Sequence, residues 1–532
     1  MKRTALTALA TVLLLSAAPA AFATHAYADD MDGKGEAAAA DKKDSQEEKI
    51  DAATARAPID EQASTTSHTI QVHGQTLAYK ATAGTLTIRD DDGKPVASLF
   101  YVAYALDNPK GGLNHRPVTF LYNGGPGSSS IWLHMGSLGP MRVKTSSPDH
   151  MGSAPFSFGP NEDTLLDKTD LVFIDAIGTG YSRPLGKTEA KTFWGVDQDA
   201  DAYAKAISRY ILLNGRTNSP KFLFGESYGT TRSSALVYNL HQRGVDMNGV
   251  TLLSSWLNTA ASEPGFDLNY AEYLPSYAAT AWFHNKIANK PADEAAFLAE
   301  VRAWAAGPYA AALFKGDAIS PQEFDQVAQQ LAAYTGLPVD YVKKAKLRVN
   351  LERFRRELLR DQGRITGRLD SRYLGQEEDT AGEATSYDPA DTAISGAFVG
   401  AAGDYITGEL KFKTNLEYRP SYYKAGEAWD FHHAIVNGGG QKANVSPVYL
   451  DLAQTMRENP HMKVFSLNGW YDLATPFFET EYDLDHMLLD PAIKANLSYA
   501  YYPSGHMVYL NPDALKQMHS DLARFYDMAA PQ

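Results

Sequence analysis

Cysteine is absent from this 532-residue chain. That absence excludes disulfide bonds, cysteine-ligated metal sites, a thiol nucleophile and the acylated cysteine of a bacterial lipoprotein. A protein without such cross-links must be held together by its core, and 44% of the residues are hydrophobic, with 30 Tyr and 22 Phe. The composition therefore indicates a large globular protein rather than a disordered or fibrous one.

Positive charge is also scarce. The chain has 49 Lys and Arg against 63 Asp and Glu, which gives a formal net charge of −14. This balance argues against nucleic acid or an anionic membrane surface as a partner. No H-E-x-x-H motif is present, and the adjacent His432 and His433 do not define a metal site by themselves. The sequence thus calls for no metal and no cofactor, and it does not reveal an oligomeric state.

The amino terminus has the features of a secretory signal. Lys2 and Arg3 precede an apolar run over residues 5–15, and A-x-A sites follow at 21–23 and 26–28. This pattern predicts a cleavable signal over residues 1–28 and export to the periplasm or the medium, with no membrane anchor in the mature protein. A buried helix or an uncleaved anchor is the alternative.

The next segment, residues 29–64, is predicted to be a flexible acidic linker. Between residues 29 and 60 there are ten Asp or Glu against five Lys or Arg, and large apolar side chains are few. Such a stretch cannot bury enough surface to offset the entropy lost on ordering.

Beyond the linker, short apolar runs alternate with helical stretches, the pattern of a mostly parallel sheet with crossover helices. Antiparallel strands are predicted first, within residues 68–106. The later predicted strands are residues 118–122, 171–174, 222–224, 250–254, 464–467 and 497–501, and the predicted helices are 200–213, 232–242, 449–457 and 515–528.

The strand pattern stops over residues 260–404, which divides the predicted core into residues 65–259 and 405–532. Helical spacing appears at 297–305 and 342–361. We expect a helical cap over the carboxyl ends of the strands, where ligands bind in such sheets. The alternative is a separate helical domain unrelated to the site.

The strongest local motif is G-x-S-x-G at residues 225–229, between a predicted strand and a predicted helix. This context places Ser227 on a strained turn with its hydroxyl exposed as a nucleophile. A serine needs a base and a group that orients the base. Asp472 and His506 each follow a predicted strand, 34 residues apart, which suits a crossover from one strand end to the next.

Acyl transfer also needs hydrogen-bond donors for the oxyanion. The loop N-G-G-P-G-S-S at residues 123–129 follows a predicted strand, and its glycines let the backbone N–H of Gly125 face the reacting carbonyl. The N–H of Tyr228 is the second expected donor. A phosphate-binding loop is the competing interpretation, and no Lys-Ser or Lys-Thr pair follows to support it.

Taken together, N-G-G-P-G-x-S-S, G-E-S-Y-G, a post-strand Asp and G-H-M resemble the serine carboxypeptidase family. The resemblance extends from residue 118 to the carboxyl terminus, apart from the insertion. It implies an α/β-hydrolase fold, a peptide substrate, a triad of Ser227, Asp472 and His506, and an oxyanion hole of Gly125 and Tyr228. An exported bacterial member is expected.

The resemblance also implies residues that bind the substrate. Asn123, Gly124 and Glu226 would bind its terminal carboxylate, and Met507 is a further expected substrate-binding residue. Two positions depart from the family pattern: Ser128 replaces the usual Cys, and Ser137 stands where the family has a second Glu, counted without gaps from Asn123.

Two other functions remain open. An esterase or acyltransferase would use the same triad on a different acyl donor. An inactive binding protein on a hydrolase fold is disfavoured, because every residue that the chemistry needs is present.

Overall fold

The structure is a computed structural model that describes residues 57–530. The predicted signal segment and most of the predicted linker lie outside the described residues. The strands are β1 (Ala63–Val72), β2 (Gln75–Arg89), β3 (Pro95–Leu106), β4 (Val118–Tyr122), β5 (Met141–Val143), β6 (Phe158–Pro160), β7 (Asp170–Ile174), β8 (Arg183–Pro184), β9 (Lys221–Ser227), β10 (Gly249–Ser255), β11 (Ile365–Thr366), β12 (Leu374–Gly375), β13 (His433–Ala434), β14 (Lys442–Ala443), β15 (Lys463–Gly469) and β16 (Leu497–Tyr502).

The α-helices of the described residues lie between and after these strands. They are α1 (Ile131–Gly136), α2 (Val196–Leu213), α3 (Tyr228–Gln242), α4 (Leu268–Phe283), α5 (Glu294–Trp304), α6 (Ala310–Lys315), α7 (Pro321–Thr335), α8 (Val339–Lys344), α9 (Leu351–Glu357), α10 (Pro389–Asp404), α11 (Tyr423–Glu427), α12 (Tyr449–Glu458), α13 (Phe477–Asp485), α14 (Pro491–Lys494) and α15 (Pro512–Ala529). Within residues 57–530, no helix is both long and apolar enough to cross a membrane.

One large sheet organises the core. Its strand order is β1-β2-β3-β7-β4-β9-β10-β15-β16, and β8 pairs with β3. Strands β1 to β3 form an antiparallel edge, β3 pairs with β7 antiparallel, and the strands from β7 to β16 run parallel to their neighbours. Each of the six later predicted strands lies within a strand of this sheet. The predicted α/β-hydrolase class is therefore confirmed.

The insertion enters after β10 and contains helices α4 to α10. Its hydrophobic core is continuous with the sheet domain, because Tyr471 and Leu473, which follow β15, pack inside it. The helical spacing noted over residues 342–361 is divided between two separate helices, α8 and α9. Lys346 and Leu347 lie between them with φ of 56° and 65°, a left-handed conformation that no α-helix can contain.

One predicted boundary differs from the structure. The linker was expected to end at residue 64, but β1 begins at Ala63, and residues before it form hydrogen bonds with Thr87 of β2. Thr87 donates its backbone N–H to Glu61 Oε1 (2.8 Å), and Arg209 Nη2 donates to Glu61 Oε2 (2.8 Å). An acidic residue of the presumed linker thus has a specific cationic partner. After the insertion, the first strand to rejoin the sheet is β15, which begins at Lys463, one residue before the predicted start at Val464.

A buried ion cluster joins the starts of three neighbouring strands. Asp170, the first residue of β7, pairs with Arg116 before β4 (2.9 Å) and with Arg216 before β9. Its Oδ1 also accepts the backbone N–H of Leu106 (3.0 Å). All three charged side chains are buried, so the single carboxylate balances two guanidinium groups in a low-dielectric environment.

Replacing Asp170 by Asn should lower the free energy of unfolding by about 3–5 kcal/mol, because it leaves two buried cations without a balancing anion. The measurement is urea or thermal unfolding. The matched control is Asp527→Asn, which breaks the partly exposed pair with Lys168 and should cost less than about 1 kcal/mol. Equal losses in the two variants would contradict the role given to Asp170.

Candidate active site

The site begins at the turn between β9 and α3. Ser227 ends the strand with φ 60° and ψ −133°, and Tyr228 starts the helix. A Cβ added at Gly225 would lie 2.2 Å from the carbonyl oxygen of Gly229, and one at Gly229 would lie 2.8 Å from that of Tyr122. Glycines at both positions allow this tight turn. Among the residues around the turn Ser227 is partly exposed, whereas Tyr228 is fully buried.

Asp472 and His506 lie at the carboxyl ends of β15 and β16, and the structure brings them together. Nδ1 of His506 is 2.8 Å from Asp472 Oδ2. The other oxygen of Asp472 accepts the backbone N–H groups of Ala474 (2.7 Å) and Thr475 (3.0 Å), and the Thr475 hydroxyl donates to Oδ2 (2.8 Å). The buried carboxylate is thus held in one orientation, which fixes the plane of the imidazole.

The pKa of His506 reflects opposing effects. Burial disfavours the imidazolium, but the Asp472 carboxylate, its hydrogen bond and the charge of Glu226 together outweigh burial and raise the pKa of His506. A histidine that holds a proton more readily is suited to accept one from a serine hydroxyl.

Two contacts fix the backbone of the histidine loop. The Ser254 hydroxyl donates to the His506 carbonyl (2.7 Å), and the backbone N–H of His506 donates to the carbonyl of Leu369 (2.6 Å). Ser254 belongs to the sheet, whereas Leu369 belongs to the insertion. The insertion therefore helps to position the loop that carries His506. Its sequence did not indicate this contribution.

The glycine-rich loop lies directly against the start of α3. A Cβ added at Gly124 would lie 2.4 Å from the backbone nitrogen of Tyr228 and 2.5 Å from that of Gly229. Gly125 follows with φ 105°, in the region that favours glycine. This approach brings the two expected oxyanion donors, on Gly125 and Tyr228, to the same end of the helix.

Arg232, which sequence reasoning missed, supports that loop. It is fully buried on α3, its Nη1 donates to the Asn123 carbonyl (2.7 Å), and its Nε donates to Asp199 (2.7 Å). Its guanidinium also lies over the ring of Tyr203, 4.3 Å from the centroid. Arg232 is thus a positioning residue that connects the helix after Ser227 with the loop before Gly124. Its position on a largely apolar helix face was the sequence feature that could have identified Arg232.

Glu226 is buried next to Ser227 in the chain and is close enough to His506 and Asp472 to be affected by their charges. The Tyr509 hydroxyl donates to its Oε2 (2.9 Å), and the Asn123 side chain is a second hydrogen-bonding partner. Burial raises the pKa of Glu226 to about 7, although the charge of His506 and both hydrogen bonds act in the opposite direction. Tyr509 was also missed, and only its position three residues after His506 could have indicated it.

The remaining predicted residues are placed as follows. The Ser137 hydroxyl donates to the Leu133 carbonyl one turn earlier (2.5 Å). It thus forms a hydrogen bond with a carbonyl group of the preceding helix, and it supplies no second carboxyl group. Met507 is buried in the main hydrophobic cluster, next to His506 in the chain. Ser128 accepts a hydrogen bond from Nε1 of Trp132 (2.9 Å).

An exposed cation stands at the edge of this site. The carbonyl of Arg368 accepts the backbone N–H of Leu473 (3.0 Å), next to Asp472, and the adjacent Leu369 binds His506. Arg368 therefore lies on the segment that contacts both the loop carrying Asp472 and the loop carrying His506. Its side chain is exposed, and its positive charge acts against the increase in the pKa of His506.

A Gly124→Ala variant should react with a fluorophosphonate about 100-fold more slowly than wild type, because the added methyl displaces the oxyanion loop from backbone atoms that cannot yield. The second-order labelling rate of Ser227 measures this effect. Gly403→Ala is the control: it lies in helix α10, where a Cβ meets nothing within 4 Å. An unchanged labelling rate in Gly124→Ala would contradict the placement of the loop.

Comparisons with known proteins show which family and which solved structures this chain resembles. The sequence model of the family described as serine carboxypeptidase matches residues 72–296, less than half of the chain. A curated relative, the pheromone-processing carboxypeptidase KEX1 of Yarrowia lipolytica, is 26% identical over 167 residues, which is 31% of this chain and 24% of the relative. The chain thus aligns with about a quarter of that relative's length.

Among solved structures, the prohormone-processing carboxypeptidase of Saccharomyces cerevisiae is similar with a TM-score of 0.51 at 15% identity. The alignment covers 84% of this chain and 91% of that one. At this identity the likeness shows the fold alone. The family match includes G-E-S-Y-G and N-G-G-P-G, whereas Asp472 and His506 lie beyond it. The chain is thus similar to the serine carboxypeptidase family over residues 72–296, and it shares the fold of the yeast carboxypeptidase.

Proposed function

We propose that this protein is a serine carboxypeptidase that removes carboxyl-terminal residues from peptides through an acyl-enzyme on Ser227. The observation that carries the proposal is the Asp472–His506 pair at 2.8 Å, combined with the strained turn that presents Ser227 beside the Gly124 loop. This arrangement has the nucleophile, base and orienting acid of a serine hydrolase, in the chain order of the α/β-hydrolases.

The proposed mechanism has two halves. Ser227 Oγ attacks the scissile carbonyl while Nε2 of His506 takes its proton, and Asp472 stabilises the imidazolium through Nδ1. The N–H groups of Gly125 and Tyr228 hold the oxyanion. Collapse breaks the C–N bond, and the imidazolium gives its proton to the leaving amine of the terminal residue. Water then attacks the ester by the same steps in reverse and regenerates Ser227.

Specificity for a free carboxyl terminus would come from Glu226, Asn123 and Gly124. With its pKa raised to about 7, Glu226 is largely protonated in mildly acidic solution, and a protonated acid can donate a hydrogen bond to the substrate carboxylate. The exposed guanidinium of Arg368 adds a positive charge at the edge of the site. Met507, buried beside His506, would contribute apolar contacts only. Export remains a prediction from residues 1–28.

The test of function is a set of blocked dipeptides that differ only in a free, amidated or esterified carboxyl terminus. We expect the free acid to be cleaved with the highest kcat/KM at mildly acidic pH. The margin over the amide should be modest, because Ser137 supplies no second carboxyl group. Ser227→Ala should lose nearly all turnover, by a factor on the order of 10⁶.

Two results would contradict this proposal. Full turnover in Ser227→Ala would remove the nucleophile assignment. Cleavage of the ester alone, with fluorophosphonate labelling of Ser227 intact, would favour an esterase or acyltransferase over a peptidase.

The Glu226→Gln variant should retain cleavage of free-acid peptides and shift the alkaline fall of kcat/KM to higher pH. In the wild type, Glu226 ionises as the pH rises through about 7, and its negative charge then repels the substrate carboxylate. Glutamine stays neutral and mimics the protonated acid. The measurement is the pH profile of kcat/KM for free-acid and amidated peptides.

Glu294→Gln is the matched control for this experiment. Burial also raises the pKa of Glu294 to about 7, but its carboxylate accepts a hydrogen bond from Tyr471 instead of facing Asn123. Its pH profile should stay like that of the wild type. If the Glu226→Gln profile also stays unchanged, Glu226 does not read the substrate carboxylate.

A further inference from the structure

Three potential metal ligands meet on the side of the sheet that packs against α15. They are His73 in the turn between β1 and β2, Asp163 in the loop after β6, and His519 in the middle of α15. One ligand atom from each residue lies within 4.8 Å of the other two. These residues come from parts of the chain far apart in sequence, so only the fold brings them together.

His73 has a left-handed backbone conformation, which is uncommon for residues other than glycine. Val72 pairs with Gln75, so His73 and Gly74 form a two-residue hairpin turn, with φ of 46° and 82°. Turns with positive φ at both positions strongly favour Asn, Asp or Gly. Histidine is among the residues that tolerate positive φ, so this turn can present an imidazole at its first position.

The surroundings of His519 favour a bound cation. Its ring is buried and lies 4.8 Å, centroid to centroid, from that of His73. The carboxylate of Asp167 lies 3.3 Å from Nε2 of His519 and adds negative charge beside the three ligands. A carboxylate in contact with a ligand histidine is the usual partner that orients the ring and raises its basicity.

One neighbouring cation, Arg142, could compete with a metal ion for the carboxylate of Asp163. The guanidinium of Arg142 interacts electrostatically with Asp163, but its Nη2 donates to the Thr145 hydroxyl (3.1 Å). Asp163 itself is only partly buried, and His73 is exposed. Both ligands can therefore rotate to the distance of about 2.0–2.2 Å that zinc–ligand bonds require.

We propose that His73, Asp163 and His519 form a zinc site that fastens the amino-terminal hairpin to the carboxyl-terminal helix. Two imidazoles and one carboxylate match the ligand preference of Zn²⁺, whereas Ca²⁺ and Mg²⁺ prefer oxygen ligands alone. A water molecule completes the tetrahedron. In a chain without cysteine, such a site supplies the cross-link that a disulfide cannot. The role is structural and independent of the proposed peptidase activity.

The experiment is a zinc titration of the full chain against a chromophoric chelator at about pH 7.5, where histidine is ordinarily neutral. After treatment with a chelator, the wild type should bind one more zinc ion per chain than His73→Ala binds, with a Kd of about 1 µM or lower. Zinc should also raise the melting temperature of the wild type. Asp163→Asn should weaken binding at least about tenfold. The control is His461→Ala, an exposed histidine outside the cluster.

The variants chosen keep the test decisive. His73 is exposed, so its removal should leave the zinc-free melting temperature unchanged and alter only the response to zinc. The proposal is overturned if wild type and His73→Ala bind zinc equally, or if zinc gives both the same change in melting temperature. It is also overturned if His461→Ala loses as much affinity as His73→Ala.

Discussion

The tight turn at Ser227 is the constraint on which the rest of the site depends. Strand β9 reaches the start of α3 with no room for a side chain at Gly225 or Gly229, and the neighbouring loop leaves none at Gly124. The backbone N–H groups at the helix start and the Ser227 side chain therefore belong to one rigid unit. Arg232 strengthens that unit, because a single buried guanidinium binds both Asp199 and the carbonyl that precedes Gly124. The positive φ of Ser227 persists because this packing leaves the chain no alternative.

Two buried groups near that turn have pKa values shifted in the same direction for different reasons. Burial lowers the pKa of His506, but the combined effects of Asp472 and Glu226 outweigh burial and raise it. Burial raises the pKa of Glu226, while Tyr509 and Asn123 moderate the effect. One group is thereby suited to accept a proton from serine, and the other stays neutral in mildly acidic solution. Neighbouring charges thus raise the pKa of His506 against the effect of burial, whereas burial itself raises the pKa of Glu226. No second carboxyl group beside Glu226 is required.

The insertion is more closely connected with the chemistry than its helical composition indicates. The segment around Arg368 and Leu369 binds the loops that carry Asp472 and His506 through backbone hydrogen bonds. Residues after β15 in turn complete the insertion's own hydrophobic core. Changes in the insertion would therefore affect the positions of the loops that carry Asp472 and His506.

Local patterns in the sequence determined the six later strands, the α/β class and the motif residues around Ser227, because apolar periodicity and glycine spacing act over a few residues. The sequence also predicted that Asp472 and His506 follow strands and lie close together, because the carboxyl ends of parallel strands lie at the same edge of a sheet. Only the tertiary structure paired Tyr509 with Glu226, Leu369 with His506 and Glu61 with Arg209. Their separations along the chain run from 137 residues, for Leu369 and His506, to 283, for Tyr509 and Glu226. No local preference acts over such distances, and these contacts exist only because the packed sheet and insertion bring the residues together.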